Sequence, residues 1–412
     1  MSNTILTPTI ITKDSLRMLT NKVVMAGKVN RQYDKSFGSS GASVSGKIGP
    51  SLRVRDSVRF TVSEGANLQV QDVLEEYKTI TVSTRNQVSF KFPMEALTTS
   101  IDMFRERYIT PAMAAMASKL DRQVFTLYKD VYQSVGTPGT NPGSGQTAAV
   151  TTQVYLDAGA KQSEQTTPES PRYAVLSPAF QASTVGALSG LFNASSKISD
   201  QYASGVMGSA VLGYDWYTSS QTPTHTNSTG SAQANVNVHG ASQTGASLLC
   251  DATNGTIFKA GDVFTLAGVY NVNPESFENS GRLQQFVVTA DATAGSSQVT
   301  LAISPSIYPT TTSTYKQTVT ASPANLALST WYDTTASQTR AQSLLFHPDA
   351  FTLVTCDLEL PGTDWEARQE YEGISMRILK QYDINSDAQP CRIDVLSGVL
   401  TLRPQYAVRV WG

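Results

Sequence analysis

The chain has 412 residues, of which 40% are hydrophobic, enough to fill the cores of about two or three domains, so a disordered chain is excluded. Charged residues make up only 16% and the net charge is −2. Acids and bases are interspersed, which excludes a basic nucleic-acid footprint or a polybasic membrane patch and suits a subunit that buries much of its surface against its own copies.

Along the chain, Leu16, Leu19, Val23 and Val24 lie at helical spacing after Asp14 or Ser15, either of which suits a helix cap. The following Ser36-Phe37-Gly38-Ser39-Ser40-Gly41-Ala42-Ser43 segment has too little apolar area to fold alone. It predicts an extended arm that orders on a neighbour. From residue 47 the period changes to two. Leu52, Val54, Val58, Phe60 and Val62 alternate with polar residues, as do Ile80, Val82, Val88, Phe90 and Phe92. This predicts a long antiparallel strand pair, each strand half-buried. A two-stranded ribbon is marginally stable alone, so its apolar face needs another surface, expected on another subunit.

Helical spacing returns with Leu97, Ile101, Phe104 and Tyr108 and continues through Met113, Met116, Leu120, Val124, Leu127 and Val131. Pro111 is tolerated only in a first helical turn, so Thr110 is read as the cap of a helix running from Pro111 to about Val135. Gly136-Thr137-Pro138-Gly139 stops it. Tyr173–Leu176 reads as a short buried strand, followed by a helix from about Pro178 to Ser189. Gly205–Gly208 and Gly213-Tyr214-Asp215 mark tight turns.

Residues 217–340 are Thr/Ser-rich and nearly free of helical periodicity. Strand candidates Ala234–Val238, Val263–Leu266, Gln285–Thr289 and Gln298–Ile303 are separated by Gly and Asn turns, which predicts an inserted β-barrel or sandwich. Beyond it, Leu344–Phe346, Phe351–Val354, Ile374–Leu379 and Ile393–Leu396 read as strands. Ala407–Trp411 reads as an edge or terminal strand.

The search for chemistry is short. His225, His239 and His347 form no HExxH or zinc spacing. Gly143–Ala148 matches GxGxxA formally but follows a helix in a Pro/Gly loop, the wrong context for a dinucleotide. Asp383, Asn385, Asp387 and Asp394 fall at calcium-loop positions, but Ala388 stands where the loop needs Gly and Pro390 interrupts it. Glu359, Asp364, Glu366, Glu370 and Glu372 cluster with Arg368 between Leu358 and Gly373. A charged loop at a subunit contact explains them better than acid–base catalysis, with Trp365 and Arg368 as interface anchors. The three cysteines Cys250, Cys356 and Cys391 have no CxxC spacing and suggest reduced thiols. No signal peptide and no apolar run long enough for a membrane span is read. No cofactor, metal or catalytic site is expected.

The order of arm, β-hairpin, long helix, mixed body and terminal β-segment resembles the Johnson fold of tailed-phage capsid proteins, shared with encapsulins. Ile109-Thr110-Pro111-Ala112-Met113 through Asp121-Arg122 is similar to the start of that family's spine helix. Leu188–Phe192 and Gly213–Asp215 resemble body motifs, and Ser397-Gly398-Val399 through Leu402-Arg403-Pro404 resembles its C-terminal signature. With the β-insertion, the chain resembles the coat proteins of short-tailed Salmonella-type phages.

The resemblance implies an α+β fold with an arm (1–46), an extended hairpin loop (47–92), a spine-helix region (93–136), a body (137–221 and 341–412) and an inserted barrel (222–340). It also implies a non-enzymatic major capsid protein, assembled in the host bacterial cytoplasm into pentamers and hexamers of an icosahedral virion shell. Scaffolding and portal proteins, a decoration protein and double-stranded DNA bound without sequence specificity are the implied partners, with no membrane. The expected inter-subunit contacts are Leu52, Val54, Val58, Phe60, Ile80, Phe90, Phe92, Trp365 and Arg368. Two other readings compete. An encapsulin-like shell would be told apart by what the particle contains, and a β-rich adhesin or hydrolase would need the leader and polar site that the sequence does not offer.

Overall fold

A computed structural model describes residues 8–33, 49–62, 64–65, 67, 70–71, 75–93, 108–139, 151–188, 211–228, 236–310, 316–363, 365–385 and 388–411. The Ser36–Ser43 arm, the Gly143–Ala148 loop, the Gly205–Gly208 turn and most of Leu188–Phe192 lie outside them. The chain divides into two units. One comprises Met1–Arg55, Tyr77–Val124 and Phe351–Leu400, and the other Asp56–Glu76, Phe125–Ala350 and Thr401–Gly412.

In the first unit, helices α1 (Pro8–Lys22) and α2 (Thr110–Phe125) cover one face of an antiparallel sheet. In that sheet Phe351–Cys356, Ala388–Thr401, Ile374–Lys380 and Trp365–Tyr371 are neighbours in that order, and Thr84–Pro93 pairs with Ala388–Thr401. Alternation decides which side chains reach the core. Ile374, Met376 and Ile378 meet Cys391, Ile393 and Val395 beneath Leu16 and Leu19 of α1 and Met113, Met116 and Leu120 of α2.

Helix α1 starts earlier than expected. Ser15 lies inside it, donating to the Ile11 carbonyl at 2.7 Å instead of capping. Asp121 of α2 fixes the turn after α1, accepting from the amides of Val24 and Ala26 at 2.9 Å each. The charged loop expected around 358–373 is in part a strand, Trp365–Tyr371, in register with Ile374–Lys380.

The expected 25-residue helix is shorter. α2 ends at Phe125, a 3-10 turn spans Thr126–Asp130, and Val131 is already extended. β-branched Val131 and Val135 and aromatic Tyr128 and Tyr132 are weaker helix formers, and all four are buried in the second unit.

That unit holds a mixed sheet with strands ordered Ser134–Val135, Ala407–Trp411, Thr339–Phe346, Tyr173–Leu176 and Asp215–Thr218. Ala407–Trp411 is therefore interior and fully buried, not an edge. Helix α3 (Thr152–Glu164) was not legible because few of its buried side chains are large, while Leu156 faces solvent. Its Gln162 donates to the Leu345 and Tyr406 carbonyls at 3.2 Å and accepts from Tyr214 at 2.6 Å, which explains the Gly213-Tyr214-Asp215 motif. Helix α4 (Pro178–Leu188) begins as expected, with Ser177 Oγ accepting from the Phe180 amide.

The insertion is a nearly closed six-stranded barrel. Ser329–Trp331, Val263–Val272, Asn279–Val288, Gln298–Ile307, Gly245–Asp251 and Asn237–Val238 follow one another. Backbone bonds from Val238 to Ala327, Leu326 to Val238 and Ser329 to Val236 bring the two ends together. Val236, Leu248, Phe258, Phe264, Phe286, Leu301 and Trp331 are among the side chains that fill it. The same strands also face outward, where Val263 and Val287 pack on Tyr132 and Trp411.

Beside that contact lies a buried polar cluster. Arg409 is fully buried, donates to the Gly261 carbonyl at 2.7 Å, and lies over the rings of Tyr128 and Trp411. His225 Nε2 contacts Asp262 Oδ1 at 2.9 Å, and His225 Nδ1 contacts the Tyr128 hydroxyl at 3.2 Å. Gly261 has φ +105°, and a Cβ there would lie 2.9 Å from the His225 ring.

Burial holds the His225 imidazole below its ordinary value. Asp262 opposes this, while Arg409 and Lys129 reinforce it. The folded chain thus keeps the ring neutral, whereas the unfolded chain takes up a proton near about pH 6.5. This contribution to stability is complete above that pH and is lost as pH falls below it. The urea midpoint of the wild type is expected to drop between about pH 7.5 and about pH 5.5, and His225→Gln to shrink that drop. An unchanged drop would show that His225 is not its source.

Candidate assembly surfaces

No catalytic or metal site is expected from the sequence, so the residues to follow are those the chain leaves open or fixes toward solvent. Ser51–Arg55 pairs with Tyr77–Thr81 in a two-stranded ribbon, with Leu52 opposite Ile80 and Val54 opposite Lys78. Val54, Ile80 and Val82 are buried within the chain, and Leu52 is half-buried. The Arg53 guanidinium lies 4.6 Å from the centre of the Tyr77 ring.

The expected hairpin differs in two ways. Strand pairing ends at Arg55–Tyr77, so Val58 and Phe60 lie on irregular backbone instead of one long strand. The run from Ile80 to Phe92 also breaks at Val82–Ser83, and its second half, Thr84–Pro93, joins the sheet of the first unit. The apolar alternation lapses over Thr84–Gln87, which is polar throughout, but Val88, Phe90 and Phe92 resume the same parity as Ile80 and Val82, so the two halves read as one strand. Val88 and Phe90 consequently pack against the core, with the Phe90 ring stacked on Tyr108. The Phe92 side chain lies outside the described residues.

Past the ribbon three apolar side chains are open, with Phe60 59% exposed, Val62 97% and Val70 82%, and Tyr77 in the ribbon itself is 57% exposed. Within the second unit, this segment is tied by ion pairs of Asp56 with Arg403 and Glu76 with Lys316, all partly open to water.

Trp365 and Arg368 are placed differently. Trp365 packs partly against the core with Lys380 over its ring, and Arg368 pairs with Asp357 at 3.5 Å. Neither is a bare surface anchor. Sequence reading missed Ile384, 80% exposed, and Tyr382, 48% exposed, between the strands that end at Lys380 and begin at Ala388. They alternate with the polar residues Asp383 and Asn385 of the calcium-loop pattern.

The opposite face of the first unit's sheet carries a fixed cluster of charge. Asp394, its side chain fully buried, bonds Arg85 and Arg377 through one oxygen and Arg392 through the other, each at 2.7 Å. Burial alone would raise the carboxyl, but the three guanidiniums together hold it below its ordinary value. Asp394 is therefore the carboxylate of an arginine clamp and is not available as a calcium ligand.

Tyr128, His225 and Asp262 have the order of a nucleophile–base–acid relay, which distant sequence positions concealed. All three are at most 5% exposed, so the described geometry gives a substrate no route to them. A cleft of about 620 Å³ in the second unit is lined by opposed charges, among them Asp56, Arg59, Glu76 and Arg403. Among the described residues no group of three or more His, Cys, Asp or Glu side chains can hold a metal, and no helix is long and apolar enough to cross a membrane.

A family model described as P22 coat protein, gene protein 5, matches residues 2–412. The chain belongs to the P22 coat protein family. No curated protein matches it. Solved structures similar to it include Mycobacterium phage Che8, at 11% identity and TM-score 0.49, covering 94% of this chain and 90% of that one. The capsid of cyanophage P-SCSP1u is similar at 12% identity and TM-score 0.44, covering 88% and 83%. The CUS-3 coat protein I-domain is similar over 25% of this chain and 97% of its own length, at 25% identity and TM-score 0.20.

As a P22-type coat protein, this chain is a major capsid protein with the tailed-phage capsid fold, and it self-assembles into the virion shell.

Removing one member of a buried charge cluster leaves the others unpaired. Asp394→Ala is expected to cost about 3 kcal/mol, at the low end for a buried ion pair because Arg85 and Arg392 still touch water. The denaturation midpoint of the first unit measures it; a loss within about 0.5 kcal/mol would show that the clamp is not structural.

Proposed function

We propose that this coat protein builds its shell without catalysis, by reaching the ribbon and the segment beyond it onto a neighbouring copy. Pentamers and hexamers then close into an icosahedral shell that encloses double-stranded DNA. The observation that carries this reading is the open apolar side chains of Phe60, Val62 and Val70 on a segment held in the second unit by partly exposed ion pairs, with Tyr77 open in the ribbon beside it.

Magnitudes favour transfer to a neighbour. Exposed ion pairs of this kind contribute about 0–1 kcal/mol each. Fully burying a Phe or Val side chain contributes about 1.5–3 kcal/mol. Covering two or three of these residues outweighs both ion pairs, so the contact within one chain does not compete with docking. Of the contacts expected from sequence, Leu52, Val58 and Phe60 remain the best placed. Val54, Ile80 and Phe90 instead stiffen the base from which the segment extends.

The domain reading follows the same logic: an arm at 1–46, a hairpin loop at 47–92, a spine at 93–136, a body at 137–221 and 341–412, and a barrel at 222–340. Scaffolding and portal proteins are the proposed partners for regulating closure, with a decoration protein on the finished shell. The net charge of −2 suits a wall along which packaged DNA slides without tight phosphate binding.

The test must spare Thr84–Pro93, since removing it would take a strand from the sheet of the first unit. Arg55 and Tyr77 are cross-strand partners, so a two-residue Asn-Gly turn can join them in place of residues 56–76. The shortened chain is expected to be soluble and folded by circular dichroism, yet to give no closed shells by negative-stain microscopy. Normal shells from it would overturn the reading.

A further inference from the structure

The ribbon meets the sheet of the first unit where backbone touches backbone. Tyr77–Thr81 ends, Val82 donates to the Pro50 carbonyl at 2.8 Å, and Thr84–Pro93 turns into the sheet beside Ala388–Thr401. Gly398 lies against that corner. A Cβ on it would stand 2.4 Å from the Thr81 carbonyl oxygen, and 3.0 Å from both the Thr81 carbonyl carbon and the Val82 Cα. These are backbone atoms, so no rotamer change can make room. Gly398 is not among the glycines with positive φ, so what the site requires is space and not an unusual conformation.

Next to it, a small polar knot ties three elements together. The Asn86 amide donates to Gln123 Oε1 at 3.1 Å and to Ser397 Oγ at 3.3 Å, and Ser397 Oγ donates to Gln123 Oε1 at 2.9 Å. Asn86 and Ser397 are 6% and 0% exposed. The spine helix, the strand entering from the ribbon and the strand carrying Gly398 are therefore fixed to one another within a few residues of the corner at Val82–Ser83.

We propose that Gly398 and the Asn86–Gln123–Ser397 knot are the pivot that sets the angle at which the ribbon leaves the subunit, and so the curvature at which copies close. This rests on the reading of the ribbon as the arm between subunits. Restoring an ordinary contact distance after adding a methyl group requires the corner to move by about 1 Å. Turned about the neighbouring strand, roughly 5 Å away, that becomes about 3 Å at the far end of a five-residue strand pair. Head-to-tail contacts close into rings only when their rotation matches, so a small angular error at every subunit decides whether the shell closes and at what diameter.

Two full-length variants test the pivot. Gly398→Ala displaces it, and Ser397→Ala loosens it without adding bulk. Each is checked for folding by circular dichroism, then assembled under the conditions that give wild-type shells, and particle diameters are measured by electron microscopy. Gly398→Ala is expected to shift the diameter beyond the wild-type distribution or to give open sheets and spirals. Ser397→Ala is expected to broaden the distribution. A purely stabilising role would lower the melting temperature and leave diameters alone. Wild-type diameter and uniformity from both variants would overturn the pivot, and if Gly398→Ala does not fold, Ser397→Ala decides by the same readout. The Arg55-to-Tyr77 shortcut separates the two ideas: shells from it sink the arm itself, whereas no shells from it together with wild-type diameters here sink only the pivot.

Discussion

A two-stranded ribbon has one face per strand to bury and nothing of its own to bury it against. In this coat protein that constraint shapes the chain from residue 51 to residue 93. The base of the ribbon is satisfied, because Val54, Ile80 and Val82 are buried and Gly398 admits the Thr81–Val82 backbone at close range. Past Arg55 the satisfaction stops, and Phe60, Val62 and Val70 face water. A monomer that left this much apolar surface on one segment would be poorly designed for life alone. A subunit whose final state is a shell has a use for it.

Elsewhere the chain supplies rigidity. In the first unit, α1, α2 and the sheet share one apolar core, and the far face of that sheet is fixed by Asp394 among three arginines. In the second, the barrel strands Val263–Val272 and Asn279–Val288 serve two cores at once, with Phe264 and Phe286 inside the barrel and Val263 and Val287 outside it against Trp411. Sharing a strand in this way makes barrel and body one packing problem. Arg409 sits at the seam. A buried guanidinium is costly to desolvate, and burial lowers its ionisation to about 10. An aliphatic side chain of similar volume would avoid that cost, but it would not bond the Gly261 turn or lie across Tyr128 and Trp411 as the guanidinium does. The cluster reads as a device for one specific arrangement of strands more than for stability.

Much of this was legible from residue order. Period two found the ribbon and the barrel strands, period 3.6 found α1 and α2, and Pro111 after Thr110 located the helix start. The misses share a cause: local patterns do not say which partner a face meets. The apolar residues from Ile80 to Phe92 keep one parity across the polar stretch Thr84–Gln87, although the two halves belong to different sheets. Helix α3 shows little apolar stripe because Gln162, a polar residue, does its central work. The Tyr128–His225–Asp262 cluster draws residues from distant parts of the chain, and the reach of Asp394 to Arg85 spans 309 positions. Surface contacts were the hardest to read, since an apolar residue in an alternating run looks the same whether its own core or a neighbour covers it. Phe90 went to the core, and Ile384, outside any run, went to the surface.

That last distinction explains why glycine, and not a large side chain, is the informative residue at the root of the ribbon. Contacts made by Phe or Trp can be met by many surfaces and tolerate small displacements, because dispersion is spread over dozens of weak atom pairs. A backbone-to-backbone approach has no such tolerance. At Gly398 the repulsion from a single added methyl group falls on the Thr81 carbonyl and the Val82 Cα, neither of which can rotate away. On the proposed reading the apolar segment beyond Arg55 supplies energy for association, since surface remains there to be buried. On the same reading the close approach at Gly398 supplies direction, since small movements are forbidden there. A closed shell needs both, because sticky subunits without a fixed angle aggregate, and fixed angles without open apolar surface leave monomers.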